Sequence, residues 1–165
     1  MGQALIDATL AADDLTLVGA LDVPESQAIG VDAAWFATAD PATLLYTSSL
    51  ADSELAASGA RFTANEFLED DVNKFRELAH SPGTVSTLDR STDGRREKSN
   101  RYREILEPLG LGDELRVALV SERRCWGFLC LHRAAQARPF DDSEMATARL
   151  LAPVLAEGLR LSLLL

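Results

Sequence analysis

Alternating hydrophobic and polar positions predict β-strands in five parts of this chain. Successive side chains of a strand point to opposite faces of the sheet, so a period of two indicates a strand with one buried face. The segments with this pattern are 31–40, 44–50, 84–88, 113–122 and 125–133. Asp40 and Pro41 supply turn residues between the first two strands, and Glu122 and Arg123 form a tight turn between the last two. We therefore expect two antiparallel hairpins and one further strand.

A helical period covers most of the remaining chain. Apolar residues that recur every three or four positions predict helices over residues 3–21, 53–68, 71–83, 99–112 and 140–165. Ser99 is the expected N-cap of the fourth helix, and Asp141 and Glu144 have the spacing of a capping box at the start of the last one. This order of elements predicts an α+β sandwich, in which helices cover both faces of a central, mostly antiparallel sheet.

Composition and charge narrow the class of protein. The chain has 165 residues, of which 47% are hydrophobic and 25% charged, as expected for one globular domain with a sizeable core. Its formal net charge of -10 argues against nonspecific binding to nucleic acid or to an anionic membrane. The first residues lack the pattern of a signal peptide, and two cysteines do not make a disulfide framework, so we expect a cytoplasmic protein. Glu157 and Arg160 interrupt the apolar C-terminal stretch, which therefore does not predict a membrane span.

The last predicted strand carries both cysteines of the chain and one of its two histidines. Strict alternation places one group of side chains on a common face: Trp126, Phe128, Cys130 and His132. Cys125 would then point to the opposite face from Cys130, so the two thiols could hold one ion only if a bulge intervened. Cys130 and His132 are fewer ligands than a zinc site needs, and His80 is distant in sequence. We therefore expect buried thiols and no metal or other cofactor.

Two charged segments each have two interpretations. Glu66, Glu69, Asp70 and Asp71 could bind a hard cation through carboxylate oxygens. Alternatively they form a solvated helix end, at which Asp70 or Asp71 caps the following helix. Residues 89–103, in which basic side chains outnumber acidic ones, could attract an anionic ligand or could form a solvated loop.

Three short segments together resemble one protein family: "DVNKF" at 71–75, "RYREILEPLGLGDELR" at 101–116 and "CWG" at 125–127. They are similar to the GAF-like sensory domain that precedes a LuxR-type helix-turn-helix in actinobacterial transcriptional regulators. The resemblance runs from about residue 31 to residue 165, and the DNA-binding part is absent from it. It implies an N-terminal helical segment, 1–30, and a GAF-like sensor domain, 31–165, that belongs to a longer protein.

The resemblance also implies a GAF/PAS-like sandwich of five or six strands, with a pocket under the middle helices. Aromatic and polar residues on those elements are the candidate ligand-binding residues, although each could equally be core: Phe67, Asn73, Phe75, Tyr102, Trp126 and Phe128. We expect a non-catalytic sensor that binds an unknown small molecule and reaches DNA only through the absent helix-turn-helix. A pure dimerisation module with a filled pocket, or a redox or methionine-sulfoxide reductase enzyme, are the alternatives.

The last helix has two apolar stripes, and one core needs only one of them. The stripe expected to cover the sheet consists of Ala148, Leu151, Ala152, Leu155 and Leu159. The second stripe consists of Leu150, Val154, Leu161 and Leu165, and would be exposed in a monomer. Pro153 should kink the helix between them. We predict a homodimer through the second stripe, unless the apolar residues of the 3–21 helix cover it within one chain.

Overall fold

A five-stranded antiparallel sheet forms the centre of the protein, with its strands in the order β2-β1-β5-β4-β3. The structure is a computed structural model and describes residues 29–164. The strands are β1 (Ala33–Ala39), β2 (Tyr46–Ala51), β3 (Val85–Thr87), β4 (Leu111–Ser121) and β5 (Arg124–Ala134). One long helix packs on one face, and shorter helices and loops cover the other. The predicted α+β class is therefore confirmed.

The helices are shorter and more broken on one face than on the other. They are α1 (Ser53–Ala57), α2 (Gly59–Leu68), α3 (Phe75–His80), α4 (Leu88–Ser91) and α5 (Asp142–Leu164). A 3₁₀ turn at Arg96–Lys98 and a π-helical turn at Tyr102–Leu106 complete the set. The helix predicted over 53–68 is divided at Ser58, whose N–H bonds to the Leu55 carbonyl. The segment predicted as a polar loop contains α4 and the 3₁₀ turn, and the predicted helix over 3–21 lies outside the described residues.

Three predicted turns and helix caps are confirmed in detail. Glu122 and Arg123, between β4 and β5, have φ angles of 51° and 60°, the left-handed pair that a two-residue hairpin turn requires. Ser99 Oγ accepts a hydrogen bond of 3.1 Å from Tyr102 N, as an N-cap does. Asp141 Oδ1 accepts from Glu144 N, and Glu144 Oε2 accepts from Asp141 N, each at 3.0 Å. These reciprocal bonds form the capping box at the start of α5.

A β-bulge in β5 overturns the predicted alternation of its side chains. Gly127 pairs with Leu119 but Cys125 pairs with Val120, so Trp126 is an extra residue on this strand. Trp126 consequently packs under α5, whereas Phe128 lies on the opposite face. The prediction that Trp126 and Phe128 share a face is wrong.

The same bulge changes the placement of the two cysteines. Cys125 and Cys130 both lie in the cluster on the face away from α5, where neither forms a disulfide. The prediction that they point to opposite faces is therefore wrong, because one inserted residue reverses the parity of every position beyond it.

The last helix buries a stripe of small residues against the sheet. Ala148, Ala152 and Leu159 are buried as predicted, and Ala156 joins them with no exposed surface. Leu155 is 47% exposed, so its predicted place on the sheet is wrong. The reason is that α5 is rotated toward Ala156, whose small side chain lets the helix approach β4 and β5 closely. The helix continues through Pro153.

The second stripe of α5 is exposed where the structure describes it. Leu150 is 76% exposed, Val154 64% and Leu161 47%. Leu165 and the apolar residues of the 3–21 segment lie outside the described residues. Between residues 29 and 164, no helix combines the length and apolar character needed to cross a membrane.

We predict that Gly127→Ala destabilises the protein by about 2–3 kcal/mol, the upper range for overpacking. A Cβ at Gly127 would lie 2.5 Å from the Ala37 carbonyl oxygen and 2.7 Å from Leu159 Cδ2, so β1 or α5 would have to move. The control is Gly158→Ala in α5, where a Cβ meets nothing within 4 Å. This control should be stabilised by about 0.5–1 kcal/mol, because glycine is unfavourable inside a helix. Urea denaturation at constant m-value measures both, and equal stability of the two variants would contradict the prediction.

Candidate functional site

Four polar residues form a buried block on the sheet face away from α5. Glu114 and Arg116 lie two residues apart on β4, and their register partners on β5 are His132 and Cys130. Residues two apart on a strand share a face, so the four side chains lie side by side. Their exposed fractions are between 0% and 3%. Charged residues are rarely buried to this extent unless they are paired.

Arg101 connects this block to α2 and to the segment that precedes α3. It has no exposed surface, and its Nε donates a 2.9 Å hydrogen bond to Glu114 Oε1. Its other two nitrogens donate to Asn65 Oδ1 and to the Val72 carbonyl, each at 3.1 Å. The sequence interpretation that counted Arg101 among the basic residues of a solvated loop is wrong. The backbone at 99–101 turns inward to start the π-helical turn, and this directs Arg101 into the interior.

Arg116 forms the second connection. Its Nη1 donates to Glu66 Oε2 at 2.8 Å and to the Asn73 carbonyl at 3.0 Å. Its guanidinium carbon also lies 4.2 Å from the centre of the Phe75 ring, a cation–π distance. Arg116 therefore links β4 to both α2 and the start of α3.

The acidic segment is explained by these connections. Glu66 Oε1 accepts a 2.8 Å hydrogen bond from Phe75 N, so Glu66, and neither Asp70 nor Asp71, caps α3. Asp71 instead accepts from Asn65 Nδ2 at 2.9 Å and from the Arg101 backbone N–H at 2.7 Å. An acidic side chain thus caps α3, as predicted, but the prediction that Asp70 or Asp71 does so is wrong. The reason is that the chain makes one more turn before α3 begins.

A cavity of about 140 Å³ lies between this polar block and α2. Its aromatic walls are Trp35, Tyr46, Phe62 and Phe75, and its floor is Arg116, Cys130 and His132; Ser49, Gly59 and Thr63 complete the lining. An apolar cavity of about 150 Å³ is enough to hold a benzene molecule. The size and lining therefore suit a compact ligand with an apolar body and one polar end.

Burial and ion pairing set the charge of the floor. Burial alone would raise the pKa of Glu114, but the guanidiniums of Arg101 and Arg116 outweigh it and lower that pKa to about 2. Burial lowers the pKa of His132 to about 4 and raises the pKa of the Cys130 thiol well above its usual value. At neutral pH the floor therefore holds a neutral imidazole and a neutral thiol, with the ionised carboxylate of Glu114 beside them.

The two carboxylate oxygens of Glu114 differ in their hydrogen bonding. Oε1 accepts from Arg101, and Arg116 Nε lies 2.9 Å from the same oxygen at an angle unfavourable for a hydrogen bond. Oε2 lies 3.9 Å from His132 Nδ1, and neither atom has a hydrogen-bond partner among the residues that the structure describes. Buried polar atoms without partners are uncommon in native proteins and require an explanation.

The family model of the GAF domain matches residues 25–159 of this chain. The chain belongs to the GAF family. No curated protein matches it significantly. It is also similar to the crystal structure of the GAF domain/HD domain protein from Geobacter sulfurreducens, with a TM-score of 0.57 and 16% identity over 83% of this chain and 85% of that one. At this identity the similarity shows the fold alone.

The GAF domain brings only one of the six predicted ligand-binding residues, Phe75, into the lining of the cavity. Phe75 lines it, and Phe128 stacks beneath Phe75 with ring centres 4.3 Å apart. Phe67 packs on Tyr46 and is 41% exposed at the edge of the cluster.

None of the other three predicted residues lines the cavity either. Tyr102 packs in a neighbouring cluster with Phe62. Asn73 holds its own loop by donating to the Thr87 carbonyl at 3.0 Å and accepting from Ser91 Oγ at 2.7 Å. Trp126 lies on the other side of the sheet, because the bulge reverses its direction.

The sequence interpretation missed most of the cavity lining. One signal for it was present: Glu114 and Arg116 place two charges on the same face of an otherwise apolar strand, which indicates a buried polar site. Trp35, Tyr46 and Phe62 come from separate elements, and only the pairing of β1 with β2 and β5 and the packing of α2 bring them together.

We predict that Arg101→Met destabilises the GAF domain by about 3 kcal/mol or more, because it removes one partner of a buried ion pair and leaves the carboxylate of Glu114 under-compensated. The matched control is Arg103→Met, two residues away and exposed, which should change stability by no more than about 0.5 kcal/mol. Chemical denaturation of both variants provides the measurement. A small effect for Arg101→Met would mean that the buried network does not hold α2 and the segment at Val72 to the sheet.

Proposed function

We propose that this GAF domain is a non-catalytic sensor that binds a small ligand in the cavity beneath α2. The observation that carries the proposal is the combination of four aromatic walls with a polar floor around one cavity. Ligand sites are concave and mostly apolar, with a few polar groups that fix orientation. The family supports this function, because GAF domains commonly bind small molecules.

The structure favours a compact ligand. A cavity of about 140 Å³ suits a molecule of roughly the size of a benzene ring, smaller than a drug-sized ligand. The aromatic rings of Trp35 and Phe62 would contact its apolar body, and its polar end would reach the floor beside His132.

Two observations support a non-catalytic role over a redox enzyme. Thiol chemistry proceeds through the thiolate, which is scarce when the pKa is high. Burial raises the pKa of Cys125 to about 11, and it raises the pKa of Cys130 further. Both thiols are therefore protonated at neutral pH, although the bulge places them on the same face.

The wider biological role is proposed from the sequence resemblance. The segments at 71–75, 101–116 and 125–127 support a sensor domain of a LuxR-type transcription regulator in the cytoplasm. Such a regulator would contact DNA through a helix-turn-helix part. The net charge of -10 favours this arrangement, because the sensor itself would repel the DNA backbone.

The exposed stripe of α5 supports a homodimer. Leu150, Val154 and Leu161 lie along one side of a surface helix, interrupted by Glu157, and a group of exposed apolar residues marks an interaction surface. Burying an exposed leucine contributes roughly 1.5–3 kcal/mol, so a few such residues from each chain favour association. A two-fold axis along α5 would place two DNA-binding parts side by side.

We predict that small aromatic probes raise the melting temperature of the full chain. The probes are phenol, benzoate and imidazole; a probe present at about 100 times its Kd adds about 2.7 kcal/mol to stability. Thr63→Phe, which fills the cavity from α2, should abolish the shift. The matched control Thr147→Phe alters a threonine on α5 that makes the same hydrogen bond to the carbonyl four residues earlier, and it should keep the shift. Failure of all three probes, or a shift that persists in Thr63→Phe, would favour the dimerisation module with a filled pocket.

We predict a dimer at tens of micromolar, with twice the chain mass of 17.8 kDa by light scattering. The double variant Val154→Glu with Leu161→Glu should be monomeric and folded, since it places charges on the exposed stripe only. The control is Leu45→Glu with Leu68→Glu, which alters two leucines that are 52% and 83% exposed elsewhere on the surface. A wild-type mass of 17.8 kDa, or dissociation of the control, would count against this interface.

A further inference from the structure

Two side chains of the cavity floor and the buried Glu114 beside them have the chemistry of a transition-metal site. Glu114 Oε2, Cys130 Sγ and His132 Nδ1 all lie within 4.8 Å of one another. Ligand atoms on one tetrahedral zinc ion are roughly 3.5 Å apart, because the bonds are about 2.0–2.3 Å long. Small side-chain rotations would therefore bring the three atoms around one ion. We propose that Glu114, Cys130 and His132 bind a divalent transition-metal ion of the zinc type.

The unpartnered atoms carry this proposal. Glu114 Oε2 and His132 Nδ1 face each other at 3.9 Å, both fully buried and without a hydrogen-bond partner in residues 29–164. Leaving buried polar atoms unbonded is costly. A cation between them would satisfy both atoms with one contact each.

The second oxygen of Glu114 is already positioned for this role. Arg101 donates to Oε1 and holds the carboxylate with Oε2 directed at His132. Metal-binding carboxylates are generally oriented by hydrogen bonds of this kind from outside the ligand set.

The charges around the site are compatible with a cation. Arg116 is paired with Glu66 at 2.8 Å, and Arg101 has Asp71 at 3.8 Å in addition to Glu114. Glu66 and Asp71 therefore compensate the two guanidinium charges together with Glu114. On binding, the Cys130 S–H bond breaks, the sulfur keeps the electron pair and binds the ion, and the proton goes to solvent.

The donor set selects the class of metal. One sulfur, one imidazole nitrogen and one carboxylate oxygen suit zinc and its first-row neighbours, whereas magnesium and calcium prefer oxygen ligands alone. Three protein ligands leave a coordination position open. Because Cys130 and His132 both line the cavity, that position would be reached from it. Metal binding does not depend on the organic ligand proposed above.

The test is a titration of the metal-free full chain with Co²⁺, followed by absorption spectroscopy. We expect one Co²⁺ per chain, a sulfur-to-cobalt charge-transfer band in the near ultraviolet, and displacement of Co²⁺ by Zn²⁺ but not by Mg²⁺. Cys130→Ser should remove the band and weaken Co²⁺ binding by about 100-fold or more, beyond the effect of losing an outer-shell partner. His132→Asn should weaken binding comparably and leave the overall fold unchanged by circular dichroism.

Two control variants separate this site from other metal-binding groups. Cys125→Ser removes the other buried thiol of the same cluster, and His80→Ala removes the only other histidine, which is exposed. Both should retain the band and the affinity. The proposal is overturned if no charge-transfer band forms in the wild-type protein, if Cys130→Ser retains it, or if Cys125→Ser loses it. Failure of the aromatic probes in the ligand experiment would leave these outcomes unaffected.

Discussion

The buried ion pairs between β4 and the layer above it are the contacts on which the rest of the pocket depends. Arg101 joins Glu114 to Asn65 and the Val72 carbonyl, so a single fully buried side chain bonds to three parts of the chain. Breaking such a pair costs far more than forming it contributes, because a lone charge in the interior cannot be solvated. The network therefore specifies one position of α2 over the sheet more than it adds stability.

That constraint explains why a cavity can exist at all. Hydrophobic side chains alone would tend to collapse into a space of about 140 Å³, since interiors are closely packed. Here Arg116 is held by Glu66 and stacked on Phe75, and it keeps α2 and α3 at a fixed distance from β4. The same ion pairs therefore hold both the aromatic walls and the polar floor in place, and this arrangement is suited to binding a small molecule.

The two faces of the sheet accordingly have different roles. On the α5 face, Gly127 and small alanines allow a close contact, and the helix presents its remaining apolar stripe outward. On the other face, the polar block requires partners, and three of its atoms, on Glu114, Arg116 and His132, have no hydrogen-bond partner among the residues described. One face of the sheet is thus closely packed by α5, and the other carries polar atoms that lack partners and the cavity.

Local patterns in the sequence determined the strands, the hairpin turn at Glu122–Arg123, the capping box of α5 and the α+β class, because each depends on residues close together in the chain. They also indicated three residues of the buried stripe of α5, namely Ala148, Ala152 and Leu159. Only the tertiary structure decided the site. The bulge at Trp126 reverses the direction of Cys125, and nothing in the alternation of β5 marks it. The inward turn of Arg101 and the approach of Trp35, Phe62 and His132 to one cavity depend on contacts between distant segments, which are set by the packing of α2 on the sheet.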